Sequence, residues 1–471
     1  MKKIHSIGFC FLLAVTSVHA AVQERSYDAI NSGVAWFDDR GQIVSAHGAG
    51  IWKEGDRFYL FGEFKRDDSN EFNGFSCYSS SDLMNWKFER IALPVQKDGR
   101  LGPNRVGERP KVMKCPKTGE FVMFMHTDDM KYLDQAVGYA TCNTVNGEYE
   151  FQGTLDLDGK AIRLWDMGVF QDADGAGYVM THGGNLYRLA DDYRSVTKQV
   201  LRNMTGGCES PALFKRGDLY YWLGSGLTAW ERNDNYYFTA RSLEGPWKKR
   251  GHFAPEGKLT WNSQTTFVLP ITGSGETTYM FMGDRWAHPL QNSAATYVWQ
   301  PLQFERDGSM SLPDYRQSWR VDSASGKWSN ATLNGKVIDV RSMQGVQSQG
   351  RWERHNDGDG FSDTRSDEKD ASVTIPFTGT RIGLFGVARP DGGFGKVEIK
   401  NRSGDIIVST IMESYCLYPE SSLKFLSPKL ERGDYTMTIT VMDKRFFWQA
   451  KTRTYGSQGD YVSVQKLLLA D

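Results

Sequence analysis

The chain has 471 residues, of which 13% are aromatic, and it contains 14 tryptophans. Lys and Arg total 56 against 57 Asp and Glu, giving a net charge of -1. This balance excludes the basic surplus that binding to nucleic acid or to an anionic membrane requires, and the length predicts two domains rather than one.

Residues 1–20 have the pattern of a secretory signal peptide. Lys2 and Lys3 supply the positive start, a short apolar run follows, and Ala20 ends a small-residue cleavage site. The run is too short to span a bilayer. We therefore expect an exported protein, periplasmic or extracellular, with no membrane span.

Five cysteines remain after that cleavage, and none forms a CxxC pair. Metal or redox use is therefore not expected, and buried free thiols are predicted, with disulfide pairing left open. The stretch from Asp357 to Asp363 is rich in Asp and Gly but lacks the ligand spacing of the helical calcium loop. It is interpreted as a turn, so no cofactor is predicted; a structural calcium stays open as an alternative but is not indicated.

A strand–turn–strand pattern recurs through the first part of the chain. Each copy joins an apolar strand to a second, often aromatic strand through a turn containing Gly. The five copies begin near Gly50, Val112, Val169, Ala212 and Thr266. Recurrence every roughly 40–50 residues is typical of β-propellers, so the pattern predicts five blades whose first strands face one central funnel.

The pattern changes after residue 315. Residues 316–337 are polar and poorly periodic, and new alternating strands begin at Ala371, Arg381, Gly395, Tyr435 and Tyr461. Such strands are typical of a β-sandwich. The predicted fold class is all-β, a five-bladed β-propeller followed by a β-sandwich. The predicted division is a signal peptide at 1–20, a catalytic propeller at 21–315, a linker or edge strand at 316–337 and an accessory sandwich at 338–471.

Carboxylates near the mouths of the predicted blades are the candidate catalytic groups. They are Glu63, Glu108, Asp166 and Glu209. Cleavage of a glycosidic bond needs a protonated acid at the leaving oxygen and a group that directs water to the opposite face of the sugar. Burial or a nearby negative charge holds such an acid protonated. Glu209 precedes Ser-Pro and lies outside any charge run, which makes it the first candidate.

Seven phrases, in order over residues of about 35 to 305, are far more specific together than any single motif. They are Ala46-His47-Gly48-Ala49-Gly50, Glu108-Arg109-Pro110-Lys111-Val112, Arg163-Leu164-Trp165-Asp166-Met167-Gly168-Val169-Phe170, Glu209-Ser210-Pro211-Ala212-Leu213-Phe214-Lys215-Arg216, Ser225-Gly226-Leu227-Thr228-Ala229-Trp230, Asn262-Ser263-Gln264-Thr265-Thr266 and Gly283-Asp284-Arg285-Trp286. This set resembles glycoside hydrolase family 43, and most closely its subfamily 24, the exo-β-1,3-galactanases. The C-terminal part resembles the sandwich modules attached to such enzymes.

The resemblance implies a role for each matching position. Glu209 is implied as the general acid, and Asp166 as the neighbour that raises its pKa and orients it. The positions implied to hold the terminal galactose are Glu63, Glu108, Tyr132, Thr228 and Trp230. Two further candidates for substrate contact, each with a structural role as the alternative, are His47 and Arg285. Arg109 is expected to pair with a buried acid.

One position departs from the wider family. Most members have an Asp in the first blade as general base, whereas this chain has Ala46-His47-Gly48. The resemblance to the subfamily implies that Gln264 directs the water, either as its imidic tautomer or only by positioning it, while Glu108 is an alternative carrier of the proton. An inverting mechanism predicts about 6.5–9.5 Å between the acid and the water-directing group.

The resemblance implies an exported, inverting exo-β-1,3-galactosidase that releases galactose from the β-1,3-galactan backbone of arabinogalactan-type glycans. Two alternatives stay open: a non-catalytic galactan-binding propeller, and a family 43 arabinofuranosidase or xylosidase. The only partner expected is the oligo- or polysaccharide. Trp352, Tyr418 and Trp448 in the C-terminal part are candidate sugar-binding aromatics, although core packing is expected for each.

Overall fold

The computed structural model describes residues 27–356, 358, 360–450 and 452–471. The predicted signal peptide, together with Asp357 and Asp359 of the Asp/Gly stretch, lies outside these residues. Nearly all of the regular structure is β-strand, as predicted. No helix in the described part of the chain has the length and apolar character needed to cross a bilayer.

Five antiparallel sheets follow one another between residues 47 and 301, four of them with four strands and the last with three. Neighbouring strands within each sheet are consecutive in sequence. A short strand β1 (Ile30–Asn31) precedes them. The five sheets comprise β2 (His47–Glu54), β3 (Arg57–Glu63), β4 (Phe75–Ser80) and β5 (Lys87–Leu93); β6 (Arg105–Lys114), β7 (Phe121–Asp129), β8 (Ala136–Cys142) and β9 (Glu150–Thr154), followed by a small hairpin of β10 (Asp156–Leu157) and β11 (Lys160–Ala161); β12 (Met167–Gln171), β13 (Gly177–Thr181), β14 (Asn185–Leu189) and β15 (Val196–Leu201); β16 (Glu209–Arg216), β17 (Leu219–Ser225), β18 (Tyr236–Ala240) and β19 (Lys248–His252); and β20 (Gln264–Thr272), β21 (Thr277–Arg285) and β22 (Thr296–Pro301).

The first strands of the five sheets form a ring. β2, β6, β12, β16 and β20 contact one another in cyclic order. After β22 come β23 (Gln303–Phe304), β24 (Met310–Ser311), β25 (Ser318–Asp322) and β26 (Lys327–Asn330). β25 pairs with β1, so the two ends of this region meet, and the starts of the five first strands surround a common centre.

Four of these first strands are bulged close to their N-terminal ends. The pairing register with the next strand shifts at His47/Gly50, Glu108/Lys111, Glu209/Ala212 and Thr265/Phe267. Inside three of the bulges a residue has a positive φ: Gly48 (60°), Arg109 (53°) and Ser210 (56°). A bulge breaks the regular alternation of side chains and re-aims them, which here turns polar groups toward the centre of the ring.

A left-handed helical turn, α1 (Leu259–Asn262), immediately precedes β20. Its four residues have φ values of 50, 52, 57 and 57°. This conformation costs roughly 1–2 kcal/mol per residue, so it needs outside support. Arg285 supplies some of that support, because its Nε and Nη2 donate to the carbonyl oxygens of Asn262 (3.1 Å) and Trp261 (3.0 Å). The turn determines where β20, and with it Gln264, begins.

The C-terminal part of the chain forms a second group of sheets. They have the strand orders β27-β40-β32-β35, β28-β31-β36-β33-β34 and β29-β30-β39, with a separate hairpin of β37 and β38. The strands predicted at Ala371, Arg381, Gly395, Tyr435 and Tyr461 are all present. The bounds are β27 (Lys336–Asp339), β28 (Gln347–Gln349), β29 (Glu353–His355), β30 (Asp363–Ser366), β31 (Ser372–Gly379), β32 (Arg381–Ala388), β33 (Phe394–Asn401), β34 (Ile406–Glu413), β35 (Glu420–Leu426), β36 (Gly433–Val441), β37 (Phe447–Gln449), β38 (Thr454–Gly456), β39 (Val462–Val464) and β40 (Lys466–Ala470), and two 3₁₀ turns cover Gly99–Leu101 and Val340–Ser342.

Buried charges join the two groups of sheets. Arg232 is fully buried, and its Nη2 lies 3.0 Å from Oε2 of Glu413 on β34. The Tyr415 hydroxyl donates to Glu231 at 2.6 Å. Arg232 also donates to the carbonyl oxygen of Trp286 at 3.0 Å. Because separating a buried ion pair leaves an uncompensated charge, these contacts hold the C-terminal sheets against the region that carries the ring.

The cysteines follow the prediction. All five in the described residues are free thiols: Cys77, Cys115, Cys142, Cys208 and Cys416. Four of them are buried, and burial raises the pKa of Cys208 to about 11. They pack as small apolar groups.

Candidate active site

A cleft of about 790 Å³ opens where the first strands of the ring meet. Its volume falls within the range of roughly 300–1,000 Å³ that small-molecule pockets occupy. Six of the ten predicted site residues line it: Glu108, Tyr132, Asp166, Glu209, Trp230 and Gln264. The repeats therefore bring together side chains that are as far as 156 positions apart in the sequence, from 108 to 264.

Glu209 is the protonated acid of the cleft. It is the first residue of β16, paired with Ser225, and its side chain is partly exposed to the cavity. Burial and then the negative charge of Asp166 raise its pKa well above the ordinary value, against the opposing charge of Arg109. The carboxyl group therefore retains its proton at a pH where an ordinary glutamate has lost it.

Asp166 is fixed by an arginine and a backbone amide. Its Oδ1 accepts from Nε of Arg109 at 2.8 Å, and its Oδ2 accepts from the Ser210 backbone N–H at 2.9 Å. Arg109 also donates to the Ser210 hydroxyl at 2.6 Å. The expected pairing of Arg109 with a buried acid is confirmed, and charge-assisted bonds of this kind hold the carboxylate in one orientation.

The Gln264 amide has every hydrogen-bonding position occupied by protein. Its Oε1 accepts from Arg109 Nη2 and from the Trp286 indole, both at 2.8 Å. Its Nε2 donates to Glu209 Oε1 at 3.2 Å and to the Ser225 hydroxyl at 3.1 Å. Two N–H donors at the oxygen fix the orientation of the amide. They also favour the amide tautomer, because an imidic O–H would face those donors.

The direct bond between Gln264 and Glu209 differs from the expected separation. Inversion predicts about 6.5–9.5 Å between the acid and the water-directing group, whereas Nε2 and Oε1 are 3.2 Å apart. The reason is that neighbouring first strands place the two side chains at the same level of the ring, and the amide satisfies the carboxyl oxygen directly. A sugar ring bound between these two groups has to replace this hydrogen bond.

Glu108 forms a second, ionised acid in the same cleft. Its Oε2 lies 3.1 Å from His126 Nδ1, and its Oε1 accepts from the Tyr132 hydroxyl at 2.7 Å. Burial disfavours its charge, but the hydrogen bond from His126 and the charge of Lys65 outweigh burial and lower the pKa of Glu108 to about 2. Glu108 is therefore a permanent hydrogen-bond acceptor and a weak base.

His126 carries a proton across the neutral pH range. Burial lowers its pKa, but the hydrogen bonds to Asp128 and Glu108 outweigh burial and raise it to about 9. Glu108, His126 and Asp166 bring potential metal-ligating atoms within 4.8 Å of one another. Both ring nitrogens of His126 are engaged at 3.1 Å, Nδ1 with Glu108 and Nε2 with Asp128, so a cation bound by His126 would have to replace one of these contacts.

Glu63 lies buried beside the cleft rather than on its wall. Its Oε1 accepts from the Arg109 backbone N–H at 2.9 Å, and its Oε2 lies 2.5 Å from Lys65 Nζ. Burial raises its pKa against the opposing charge of Lys65. The Lys65 ammonium also lies 4.0 Å from Glu108 and 5.1 Å from the centre of the Trp230 ring. Lys65 therefore links the two glutamates and supports the aromatic wall.

Besides Glu63, three predicted substrate-binding side chains do not line the cleft. His47 is fully buried, stacked on Tyr297 at 4.5 Å with Nδ1 3.4 Å from Asp284. The Thr228 hydroxyl donates to the Glu231 carbonyl oxygen at 2.6 Å. Arg285 supports α1, as described above. These contacts favour the structural alternative for His47 and Arg285, and they engage the Thr228 hydroxyl with the protein backbone.

The sequence analysis missed Lys65, His126, Trp286 and the cleft position of Trp448. His126 faces Glu108 across the β6–β7 pair, so the strand register was the available signal for it. Lys65 follows Glu63 by two positions, on the same side of an extended chain. Trp286 stands in a quoted phrase but received no role. Trp448 belongs to another group of sheets, and no local pattern connects it to the cleft.

A protonated carboxylic acid beside a fixed carboxylate, opening into a sugar-sized cleft on an all-β scaffold, defines the chemistry of a glycoside hydrolase. The sequence profile of glycosyl hydrolases family 43 matches residues 46–309, more than half of the chain. The chain belongs to glycosyl hydrolase family 43.

Several solved structures are similar over most of this chain. An exo-β-1,3-galactanase from Phanerochaete chrysosporium, as a Glu-to-Gln variant with β-1,3-galactotriose, is 28% identical with a TM-score of 0.69, and the match covers 93% of this chain and 99% of that one. An exo-β-1,3-galactanase from Clostridium thermocellum is 25% identical with a TM-score of 0.59, covering 84% and 99%. A protein from Bifidobacterium bifidum s17 is 40% identical with a TM-score of 0.56, covering 60% and 95%. Among curated protein sequences, none matches this chain.

Proposed function

We propose that this protein is an exo-acting, inverting β-1,3-galactosidase that releases galactose from the β-1,3-galactan backbone of arabinogalactan-type glycans. The observation that carries the proposal is the raised pKa of Glu209 beside Asp166 in the cleft. The similarity to exo-β-1,3-galactanases over more than nine-tenths of the chain supports the substrate.

The five sheets in cyclic contact are interpreted as the blades of a five-bladed β-propeller. The proposed catalytic domain covers residues 21–315, a linker or edge segment covers 316–337, and an accessory β-sandwich covers 338–471. The ring of first strands supports the propeller, and the pairing of β1 with β25 favours the edge strand over the linker for 316–337. Closure by joining the two ends of the repeat region removes exposed sheet edges.

In the proposed mechanism Glu209 protonates the oxygen of the leaving sugar. Asp166 keeps that proton in place before the reaction by its negative charge, and Arg109 keeps Asp166 in position. Glu108 and Tyr132 accept and donate hydrogen bonds to the hydroxyl groups of the terminal galactose, while Trp230 packs against its apolar face. Glu63 does not contact the substrate but supports the site by binding the Arg109 backbone and the Lys65 ammonium.

Gln264 is proposed to position the attacking water as an ordinary amide. Bond formation between water and the sugar carbon releases a proton, which is proposed to pass to the Glu108 carboxylate, the ionised acid of the same cleft. The low pKa of Glu108 makes it a weak acceptor of that proton in the ground state. No metal or cofactor enters this scheme, because the acid, the amide and the carboxylates supply each step.

The protein is proposed to act after export. The only support is the pattern of residues 1–20, whose positive start and short apolar run match a secretory signal.

The test is product analysis on β-1,3-galactobiose by proton NMR. We expect galactose to appear first as its α-anomer, because inversion converts a β-linkage to an α-product. A first-formed β-anomer contradicts inversion. Binding of galactobiose without release of galactose identifies the non-catalytic alternative. Faster turnover of aryl arabinofuranosides or xylosides than of galactobiose identifies the other family 43 activities.

A further inference from the structure

We propose that the hairpin of β37 and β38 in the C-terminal sheets forms a subsite of the cleft, with Trp448 binding the galactose units that follow the bond being cleaved. The inference rests on the proposed function. It assigns to the C-terminal region a part in substrate binding at the active site itself.

The first observation is the composition of the cleft wall. Trp448, Gln449 and Ala450 line the same cavity as Glu209 and Gln264. Among the described residues, these three are the part of the C-terminal region that reaches it. The cavity also extends to the loop after β3, where Asp68, Ser69 and Asn70 form the facing wall. A volume of about 790 Å³ exceeds what one hexose ring fills, so the cleft has room beyond the terminal unit.

The second observation is a line of tryptophans that leads outward from the reacting groups. The Trp286 indole bonds to Gln264, and its ring lies 4.8 Å from Trp230 in an edge-on contact. Trp230 in turn meets Trp448 at 6.1 Å with the rings nearly perpendicular. Trp286 is buried, whereas Trp230 and Trp448 are partly exposed. Trp448 is thus the outermost ring, beyond the position proposed for the terminal galactose.

The third observation is that the hairpin is held firmly in place. The Phe447 N–H donates to the His288 carbonyl oxygen at 3.2 Å, and the His288 ring nitrogen Nδ1 lies 2.5 Å from the Phe447 carbonyl oxygen. The Trp448 ring also packs edge-on against the His288 ring at 4.8 Å. A ring fixed before the ligand arrives loses little conformational freedom on binding.

Unsatisfied polar atoms complete the subsite. The Trp448 indole nitrogen is buried, and no group in the described residues accepts a hydrogen bond from it. On the facing loop, the side-chain oxygen of Asn70 is buried and receives no hydrogen bond from the described residues. Buried polar atoms ordinarily have partners. A donor and an acceptor on opposite walls of an aromatic cleft suit a sugar, which offers hydroxyl groups at its edge and an apolar face to the ring.

The occupant is a β-1,3-linked galactose unit on the reducing side of the cleaved bond. An exo-acting enzyme holds the terminal unit at the closed end of its site, so the rest of the chain leaves through the mouth. Trp448 stands on that side of Trp230. The subsite therefore contributes to affinity for the chain without touching the terminal galactose.

The test compares Trp448→Ala with the unaltered full-length protein on two probes. β-1,3-Galactotriose spans the subsite, whereas free galactose, used as a competitive inhibitor, occupies the terminal position. We expect kcat/KM for galactotriose to fall about tenfold, a loss equivalent to about 1.4 kcal/mol. The inhibition constant of galactose is expected to change less than about twofold, since that sugar does not reach Trp448.

Two further variants make the test specific. Trp448→Phe keeps an aromatic face and is expected to recover most of the loss, which a role in folding alone does not predict. Phe447→Ala is the matched control, because Phe447 is its neighbour on the same strand but is 47% exposed and does not line the cleft. It is expected to leave both measurements unchanged.

The outcomes separate the two proposals. Equal losses for galactotriose and galactose, or no loss for either, overturn the subsite while leaving the proposed function intact. If the unaltered protein releases no galactose from galactotriose, the proposed function is wrong, and the subsite assignment is overturned with it. If Trp448→Ala does not fold, Trp448→Phe decides the question. A Trp448→Phe protein that loses all galactotriose turnover but is inhibited normally by galactose also contradicts the proposal.

Discussion

Single side chains in the cleft differ in charge because their immediate partners differ. Glu209 is partly exposed and Glu108 is buried, and each lies at the bulge of its first strand. The pKa of Glu209 is nevertheless raised, whereas that of Glu108 is lowered to about 2. Asp166 lies beside the first, whereas His126 and Lys65 lie beside the second. Two carboxyl groups of the same type thereby receive opposite protonation states, the arrangement that glycosidic cleavage requires.

Replacing Asp166 by Asn is expected to shift the pH dependence of activity. An acid catalyst works only while protonated, so kcat/KM falls as the pH rises through the pKa of Glu209. With the negative charge of Asp166 removed, that pKa moves down toward the ordinary value of about 4.3. The alkaline limb of the kcat/KM profile should then move to lower pH by roughly one unit.

The control for this measurement is Asp174→Asn, in an exposed turn of the same sheet. It keeps the oxygen that accepts from the Ala176 N–H and should leave the profile in place. An alkaline limb that stays fixed in Asp166→Asn, or that moves to higher pH, contradicts the assignment of Glu209 as the group that titrates.

At this scale the sequence predicted the candidate acids but not their states. The phrases quoted above contain Glu209, Asp166 and Gln264, and the structure brings these three side chains into one hydrogen-bond network. The raised pKa of Glu209 depends on its burial and on Asp166, which is held by Arg109, and the lowered pKa of Glu108 depends on His126. The contact between Asp166 and Arg109 joins different sheets, which no local pattern specifies.

The strand bulges explain how a regular β-scaffold presents these groups. Each bulge lies close to the start of a first strand, and the paired positions His47–Glu63, Glu108–His126, Glu209–Ser225 and Gln264–Asp284 stand at the same level. The first sheet differs from the others in the side chain that it places at this level. His47 stacks inward on Tyr297 instead of facing the cleft, so this sheet contributes no carboxylate at the position where the wider family has its base.

Gly48 and Gly55 provide a matched pair for testing the importance of the first bulge. Both have a φ near +60°. A Cβ at Gly55 meets nothing within 4 Å, whereas a Cβ at Gly48 overlaps the Glu63 carboxylate and crowds Arg109. Gly55→Ala is expected to cost about 1 kcal/mol of unfolding free energy, the penalty for the left-handed backbone alone.

Gly48→Ala should cost clearly more and should also reduce kcat/KM, because Glu63 and Arg109 have to move and Arg109 holds both Asp166 and Gln264. Chemical denaturation and galactobiose turnover measure the two effects. Equal losses of stability in the two alanine variants, with full activity in Gly48→Ala, contradict the claim that this bulge positions the site.

The repeats were predictable at the level of elements, since alternating apolar strands separated by turns identify hairpins. The left-handed turn α1 was not. Leu259, Thr260, Trp261 and Asn262 have no sequence feature that calls for positive φ, and the turn exists because Arg285 and the chain around it over-determine the conformation. Arg285 was predicted as a candidate for substrate contact with a structural role as the alternative, and its bonds to α1 give it an indirect effect on the site.

In the molecule as a whole, a series of side-chain contacts connects the C-terminal sheets to the residues behind the active site. Glu413 pairs with Arg232, which holds the Trp286 carbonyl oxygen, and the Trp286 indole holds Gln264. One core of buried apolar side chains contains residues from both groups of sheets. The strand patterns of the sequence predicted two regions but not the contact between them, because Arg232 and Glu413 are more than 180 positions apart.

Glu413→Gln tests the buried pair through the pH dependence of stability. Burial raises the pKa of Glu413 to about 7, although Arg232 opposes this. Because the folded pKa exceeds the unfolded one of about 4.3, the folded protein binds the extra proton between these values, and stability falls as the pH rises from about 4.3 to 7. The full loss is roughly 4 kcal/mol. The Gln variant lacks this titration.

The melting temperature of the unaltered protein should therefore decline relative to Glu413→Gln between pH 5 and pH 8. Calorimetry at both pH values measures the difference. The exposed Glu431, replaced by Gln, is the control and should follow the unaltered protein. Parallel melting curves for Glu413→Gln and the unaltered protein contradict a titration at the contact between the two groups of sheets.

The most direct test of the central claim, that Glu209 is the acid of a β-1,3-galactosidase, is the dependence of Glu209→Gln on the leaving group. β-1,3-Galactobiose needs a proton on its departing oxygen, whereas 2,4-dinitrophenyl β-galactoside does not. We expect a loss of at least about 10²–10⁴-fold in kcat for galactobiose, the usual contribution of general acid catalysis, and a far smaller loss for the dinitrophenyl substrate. Equal losses for the two substrates, or full activity of Glu209→Gln on galactobiose, contradict the account.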